Sequence, residues 1–267
     1  MKNLFVPISA LLFSSIAIAQ DRYDSVLSSG SLKTISGKKN SYYSKGYEVR
    51  AKALQKLIDN CVNYYKKKIP ETKFDVRVFV LDENDWKLLP AALPYGMPFS
   101  DSNNIVIAAD RRAGTALFGI PDNLPDSVMS PFDNIVLHEL GHTFFTLSGL
   151  EVKQKWVNEF IASYFAICYL REVADGEYFP RIDESEFQPT YTSLEDFEKL
   201  YFEVGAQNYG WYEGQFIKLA YALHRDLKTK LIKDIIRQCK AQPDIDASVV
   251  LRDLSPRKYD KWLLEMR

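Results

Sequence analysis

Histidine and cysteine are both scarce in this sequence, with three residues of each among 267. Cys61, Cys168 and Cys239 are too few and too scattered for a disulfide scaffold, and none has the spacing of zinc-binding cysteines. All three lie in apolar, helix-like patterns, which favours buried thiols and leaves one disulfide as the alternative. The formal net charge of −1, with acids and bases well mixed, excludes the basic surface that nucleic-acid binding requires.

Long apolar runs are also missing, except at the N-terminus. Residues 1–19 place Lys2 before an apolar stretch that ends in the small-x-small cleavage signal Ala17-Ile18-Ala19. Because Pro7 and several serines interrupt that stretch, a signal peptide is favoured over a membrane anchor. We therefore expect an exported protein, secreted or periplasmic, with a mature chain that begins near Gln20 and has no stable membrane span.

The remaining pattern predicts an α+β fold without repeats or low-complexity sequence. Residues 20–46, with the clusters SSGS and GKKNS, are expected to form a loose leader. A helical pattern and two β-rich stretches, 74–80 and 104–109, then predict an upper lobe over about 47–148. Helical periodicity and helix-capping signals dominate the rest, which predicts a helical lower lobe over about 149–267.

Two of the three histidines lie four residues apart in the stretch VLHELGHTFF. On a helix, His138 and His142 are separated by about 40°, so both imidazoles can reach one zinc ion at about 2.0–2.1 Å. Glu139 flanks such an ion without being a ligand, and it can take a proton from bound water whose pKa zinc lowers to about 7. This is the physical content of the H-E-x-x-H pattern. The alternative is a pair of satisfied core histidines.

A catalytic zinc ion needs a third protein ligand and one open position. Glu159 lies seventeen residues after His142, in the stretch WVNEFIA, which belongs to the next predicted helix. An antiparallel helix pair would return it to the histidines. The helix around Glu159 is apolar, so an unpaired carboxylate there would be costly and metal ligation would satisfy it. The alternative ligand, Glu151, sits at a helix start and suits capping.

HELGH followed by WVNEFIA resembles the gluzincin metallopeptidases, in particular the aminopeptidase-N-like branch, whose third-ligand helix typically reads W-L-N-E-G-F-A. The resemblance covers about residues 130–165. It implies a zincin-like, two-lobed fold in which a small sheet and an active-site helix precede a mostly helical lobe. It also implies that His138, His142 and Glu159 bind zinc and that Glu139 is the general base.

The same resemblance implies a tyrosine that stabilises the oxyanion, close to a Y-E-x-G stretch. Tyr212 matches that family position better than Tyr209, and a packed ring with a hydrated hydroxyl is the alternative for both. Three features depart from the family. Sixteen residues separate His142 from Glu159, a little fewer than the family usually has. No G-x-M-E-N stretch precedes the histidines, and Ser163 stands four residues after Glu159, where thermolysin-like enzymes have an aspartate that orients a ligand histidine.

Three further expectations concern the surroundings of the site. Zincins bind an extended peptide along an edge strand above the active-site helix, and residues 104–109 are the candidate, with an ordinary core strand as the alternative. His224 is expected to be a partly exposed helix residue. Arg111 and Arg112 are expected to be solvated charges.

Together these features predict a secreted zinc-dependent metallopeptidase that acts on a peptide or protein substrate. An alternative of another class is an exported binding or envelope protein that keeps zinc for stability only. Glu139 distinguishes the two, because a structural zinc site has no use for a base and is usually closed by four protein ligands.

Overall fold

The computed structural model describes residues 23–89, 93–117, 131–173 and 187–266. A five-stranded mixed sheet forms in the first half and helices fill the second, which confirms the predicted α+β class. The predicted signal peptide lies outside the described residues. The elements are the helices α1 (Asp24–Ser28), α2 (Glu48–Lys68), α3 (Glu83–Trp86), α4 (Arg111–Leu117), α5 (Ile135–Leu147), α6 (Lys155–Val173), α7 (Leu194–Leu200), α8 (Gly205–Leu227), α9 (Thr229–Ala241), α10 (Ala247–Leu254) and α11 (Pro256–Glu265), and the strands β1 (Leu32–Thr34), β2 (Ser41–Ser44), β3 (Arg77–Leu81), β4 (Phe99–Asp101) and β5 (Asn104–Ala108).

The sheet has the strand order β1-β2-β3-β5-β4, with β2, β3 and β5 parallel and the two outer strands antiparallel to their neighbours. Alternate residues of the central strands face opposite sides. Val78 and Ile105 belong to the large core shared with the helices, whereas Phe79 and Val106 face a smaller cluster around Tyr23. Because both faces are covered, β3 and β5 are apolar after their first residue, as buried parallel strands usually are.

The segment 20–46, expected to be a loose leader, forms α1, β1 and β2 in its described part, from residue 23 onward. β1 pairs with β2, and β2 pairs in parallel with β3, so that Tyr43 lies beside Val80. The buried Ser44 hydroxyl donates a hydrogen bond to Asp85. These strands have only three and four residues, which is too few for a sequence pattern to predict them. β2 is ordered by pairing with β3, and β1 by pairing with β2.

The stretch 104–109 was the candidate for a substrate-binding edge strand, with an ordinary core strand as the alternative, and the structure shows the core strand. β5 pairs with β3 on one side and with β4 on the other, and every one of its residues is buried. The outermost of the described strands on this side is β4, which follows the proline-rich loop. Both β4 and β5 contact α5.

The start of α5 is fixed by a buried ion-pair cluster. Pro131–Asn134 forms a 3-10 turn, and Asp133 within it accepts hydrogen bonds from Nη1 of Arg50 at 2.7 Å and Nη1 of Arg111 at 3.1 Å. All three side chains are at most 2% exposed. Arg111 is therefore not the solvated charge that was expected, whereas Arg112 is exposed. Arg111 can be buried beside Arg50 because Asp133 accepts a hydrogen bond from both side chains.

A Schellman turn connects the two helices that carry the candidate ligands. The backbone N–H groups of Gly149 and Leu150 bond to the carbonyls of Thr146 and Phe145, and Gly149 takes φ of +68°. Glycine therefore ends α5. The predicted lobe boundary near residue 148 falls at this turn, and the division into two lobes stays a prediction.

α5 and α6 touch backbone to backbone at Gly141. A Cβ atom at this position would lie 2.9 Å from both Cα and O of Ala162. Aromatic rings extend the contact to α2, since Tyr65 stacks on Phe165 with ring centroids 3.8 Å apart. The ligand helices thus lie within the large core, and their relative position is closely determined.

The three cysteines are free and buried, which confirms the expectation of buried thiols. Among the described helices, none combines the length and the apolar character needed to cross a membrane.

Candidate metal centre

Three side chains from α5 and α6 converge on one point. His138 and His142 lie one turn apart on α5, and Glu159 lies near the start of α6. Nε2 of His138 is 2.9 Å from Nε2 of His142 and 3.1 Å from Oε2 of Glu159, and the distance from His142 to the same oxygen is 3.5 Å. His138 and Glu159 are 7% and 3% exposed. The structure therefore brings together the three residues predicted to bind zinc.

The chemistry and the spacing of these atoms fit a divalent cation. Two imidazole nitrogens and one carboxylate oxygen are a common ligand set of catalytic zinc, and tetrahedral bonds of about 2.0–2.1 Å place ligand atoms about 3.3 Å apart. The three observed distances lie on both sides of that value. The Nε2 atoms of His138 and His142 face each other so closely that either a proton or a cation must lie between them. In a neutral imidazole, such a nitrogen can bind zinc through its lone pair.

The charges around the site also favour a cation. Burial opposes protonation of His138, but the hydrogen bond with Glu159 and the charges of Glu213, Glu159 and Glu139 raise its pKa to about 9. Burial likewise opposes ionisation of Glu159, but the charges of His142 and His138 and their hydrogen bonds hold its pKa well below its usual range. Three carboxyl groups around two imidazoles create a local excess of negative charge, which a divalent ion would neutralise.

Glu139 is 9% exposed and is not one of the three converging groups. Burial raises the pKa of its carboxyl group, while the charges of His138 and His142 oppose that rise. Ser100, on the outer strand β4, also opposes the rise and lowers the pKa of this carboxyl group. A carboxylate with a raised pKa is a stronger base, so Glu139 is suited to accept a proton beside the cluster.

Comparison of the chain with protein-family models, with curated proteins and with solved structures finds no match.

Two tyrosine hydroxyls hold the carboxylate of Glu159. Tyr201, at the end of α7, donates to Oε1 at 2.5 Å, and Tyr209, on α8, donates to Oε2 at 3.0 Å. Burial, followed by the nearby charge of Glu159, raises the pKa of both phenols, so each remains a donor at neutral pH. Tyr209 was one of the two predicted catalytic tyrosines, whereas Tyr201 was not predicted.

The structure does not bring Tyr212 to the site. Its hydroxyl donates to the backbone carbonyl of Ser193 at 2.7 Å, and its ring packs against Phe197. Although Tyr212 fits the family pattern better, three residues along α8 are enough to turn its side chain toward the start of α7. Of the two candidates, Tyr209 is the one that lies beside the candidate ligands.

Ser163 and Glu213 extend the site away from the converging atoms. Oγ of Ser163 lies 2.9 Å from Nδ1 of His138 and 3.3 Å from Oε2 of Glu213. Burial is the main cause that raises the pKa of Glu213 to about 7, and the charge of Glu159 adds to it while the imidazole of His138 opposes it. Glu213 was not predicted, although it lies four residues after Tyr209 and so on the same face of α8.

His224 lies apart from this centre and is buried, not partly exposed as expected. Its side chain is 8% exposed, and Nε2 lies 3.7 Å from Oε1 of Glu172. It therefore belongs to the packing between α6 and α8.

Proposed function

We propose that this protein is a zinc-dependent metallopeptidase, related in its active-site design to the gluzincins and built on a zincin-like fold. The observation that carries the proposal is the convergence of His138, His142 and Glu159 beside a buried carboxylate, Glu139, that is not part of the ligand set. A base that is no ligand has a use in catalysis and none in a purely structural site.

The three converging side chains would hold the ion. Zinc in such a site polarises a carbonyl group and lowers the pKa of water to about 7. Glu139 takes a proton from the attacking water on its carboxylate oxygen while the new C–O bond forms. It then returns this proton to the leaving amine as the peptide C–N bond breaks. Its raised pKa suits both transfers.

Tyr209 is the donor that we assign to the developing oxyanion. Its hydroxyl donates its one proton to Oε2 of Glu159 at 3.0 Å, at the edge of the ligand cluster, and its raised pKa means that it keeps this proton. With substrate bound, the hydroxyl would turn the same proton from Glu159 to the oxyanion. A preorganised hydroxyl in a buried site stabilises negative charge that appears in the transition state. Tyr201 holds the other carboxylate oxygen and keeps Glu159 oriented.

The outer strand β4 supports a peptide or protein as the substrate. It pairs with β5 on one side only among the described strands, and it contacts α5. An extended peptide can add to such an edge by backbone hydrogen bonds. Ser100 of this strand lowers the pKa of Glu139, and β4 contacts the helix that carries Glu139, so a peptide aligned on β4 would pass beside the base. The N-terminal sequence supports action outside the cytoplasm, in a secreted or periplasmic location.

The experiment compares the mature wild-type protein with the Glu139→Gln variant. Zinc content is measured by elemental analysis, and both proteins are incubated with a peptide library. We expect one zinc ion per chain in both, and a loss of cleavage of about 10²- to 10⁴-fold in the variant, since the proton acceptor is removed and the ligands are kept. Equal cleavage by both proteins, or no zinc in either, would contradict the proposal.

The second candidate is an exported binding or envelope protein that uses zinc for stability. The burial of His138 and Glu159 favours it, because deeply buried ligands suit a structural ion. This candidate requires bound zinc, loss of thermal stability on chelation and no cleavage of any peptide by the wild-type protein. The same library experiment therefore separates the two functions.

A further inference from the structure

We infer that Glu213 and Ser163 form a relay that orients His138 as a metal ligand, with Ser163 passing the hydrogen bond of the carboxylate to the imidazole. The inference rests on the metal centre of the proposed function and assigns two positioning residues to it. Neither residue touches the converging atoms themselves.

The direction of each hydrogen bond follows from proton counting. Nε2 of His138 faces His142 and Glu159, so a cation binds there only if that nitrogen keeps its lone pair. The ring proton must then be on Nδ1, which lies 2.9 Å from Oγ of Ser163 and donates to it. The single proton of the serine hydroxyl is left to donate to Oε2 of Glu213, at 3.3 Å.

Among the described residues, the hydroxyl of the buried Ser163 makes its hydrogen bonds with His138 and Glu213. Ser163 is 0% exposed, so bulk water does not compete for its hydroxyl. Glu213 is 9% exposed, and its second oxygen, Oε1, is buried without a hydrogen-bond partner in the described part of the chain. A half-satisfied buried carboxylate costs stability, so its presence behind a ligand histidine is better explained by orientation of that ligand than by folding.

The relay also explains the serine at this position. Thermolysin-like enzymes have an aspartate four residues after the ligand glutamate, which orients a ligand histidine, and this sequence departs from them at that position. Here Ser163 contacts His138 but carries no charge, and the carboxylate behind it comes from α8. His142 has no equivalent support, since its Nδ1 has no hydrogen-bond partner among the described residues. The relay therefore acts on one imidazole of the pair.

The test measures the zinc dissociation constant of the mature protein by competition with a chelator. We expect Glu213→Gln and Ser163→Ala each to weaken zinc binding about 10- to 100-fold, the usual effect of losing such support. The double variant should be no weaker than either single variant, because one break is enough to interrupt the relay. Glu172→Gln, which changes a largely buried acid outside the site, is the matched control and should keep wild-type affinity.

A rescue experiment separates orientation from folding. Ser163→Asp in the Glu213→Gln background places a carboxylate directly beside Nδ1 of His138, so zinc affinity should return to within about threefold of the wild type. The thermal midpoints of the metal-free proteins are measured in parallel. Wild-type affinity in Glu213→Gln, additive losses in the double variant, or failure of the rescue in a folded protein would each overturn the relay.

The readout also distinguishes the relay from the proposed activity. If the wild type binds zinc and cleaves no peptide, the peptidase assignment fails while the affinities of the variants still decide the relay. If the wild type cleaves peptides and Glu213→Gln binds zinc unchanged, the relay fails and the activity stands. A wild type that binds no zinc overturns both.

Discussion

At the scale of single residues, the carboxylate of Glu159 is the most heavily bonded group of the site. Two phenols and two imidazoles surround its two oxygens within 3.5 Å. Such a carboxylate is held in one orientation, and a ligand that does not have to be ordered on binding loses less entropy. The tyrosines thus prepare Glu159 for an ion and keep one hydroxyl near the reacting groups.

Tyr209 and Tyr212 provide a matched pair of substitutions. Tyr209→Phe should lower kcat for peptide cleavage by about 10²- to 10³-fold, because it removes the oxyanion donor. Tyr212→Phe should keep kcat within about twofold and lower the free energy of unfolding by about 0.5–1.5 kcal/mol, since it loses only the bond to Ser193. Steady-state kinetics and urea unfolding test both. The opposite ranking of the two kcat values would show that the family pattern, and not the observed position, identifies the donor.

His224 predicts a dependence of stability on pH. Burial lowers its pKa below the usual 6.5, helped by the charges of Arg171 and Lys228 and opposed by Glu172. The unfolded chain therefore takes up a proton at a higher pH than the folded chain does. Stability from this group is complete above pH 6.5 and is lost as the pH falls through 6.5 toward the lower folded pKa.

The His224→Gln variant tests this dependence. The difference in unfolding free energy between variant and wild type, measured in urea from pH 8 to about pH 5, should shift in favour of the variant as the pH falls. Comparing the two proteins at each pH removes the contribution of the other histidines. A difference that stays constant over this range would contradict the assignment.

How far single residues could be predicted depends on where their partners lie in the chain. His138, Glu139 and His142 were accessible because one helical turn encodes their geometry. Glu159 followed from an acid in an otherwise apolar helix. Tyr201 carries no comparable pattern, since its contact with Glu159 exists only after α7 has docked on α6. The choice between two tyrosines three residues apart also depended on packing that the sequence does not state.

At the scale of elements, the turn before α5 depends on charges that come from three separate segments. Asp133→Asn would leave Arg50 and Arg111 facing a neutral amide in a site that is at most 2% exposed. We expect a loss of about 3–5 kcal/mol in the free energy of unfolding, since buried charges lose their counter-ion. Urea unfolding of the metal-free protein measures it.

Asp234→Asn is the matched control for this change. Asp234 is also buried, but its partners Lys230 and Arg237 are 67% and 72% exposed and become hydrated when the carboxylate is lost. The cost should be at most about 1 kcal/mol. Equal losses in the two variants would show that the cluster before α5 has no special role.

Helices and strands could be predicted from the sequence where an apolar pattern extends over many residues. The helices α2, α5, α6, α8 and α9 follow apolar patterns that repeat over three or more turns, and their existence was expected. β1, β2 and β4 have three or four residues each, too few for a pattern. They are strands because their neighbours β2, β3 and β5 supply their hydrogen bonds. The position of β5 inside the sheet depends on β4, so the sequence left an edge strand and a core strand as alternatives.

At the scale of the whole molecule, the ligand helices belong to a core that includes residues of the sheet and of the C-terminal helices. An ion that binds only the folded chain should stabilise that whole unit. At a zinc concentration of one hundred times the dissociation constant, the gain in free energy is about 2.7 kcal/mol.

Thermal unfolding with and without zinc measures this gain. The midpoint should rise with zinc concentration and fall on addition of a chelator. Calcium at equal concentration is the control and should give no shift, because it prefers oxygen ligands and larger coordination numbers. A midpoint indifferent to zinc would show that the cluster binds no ion under these conditions.

The contact between Gly141 and Ala162 gives a criterion for reading other sequences. No side chain separates the two helices at this point, so the interval between them cannot be adjusted by a rotamer change. Replacement of the glycine by any larger residue requires a wider crossing and a longer reach for the carboxylate. In sequences that share the H-E-x-x-H pattern, a glycine just before the second histidine therefore predicts ligand helices in direct contact. A larger residue at that position predicts ligand helices that lie farther apart.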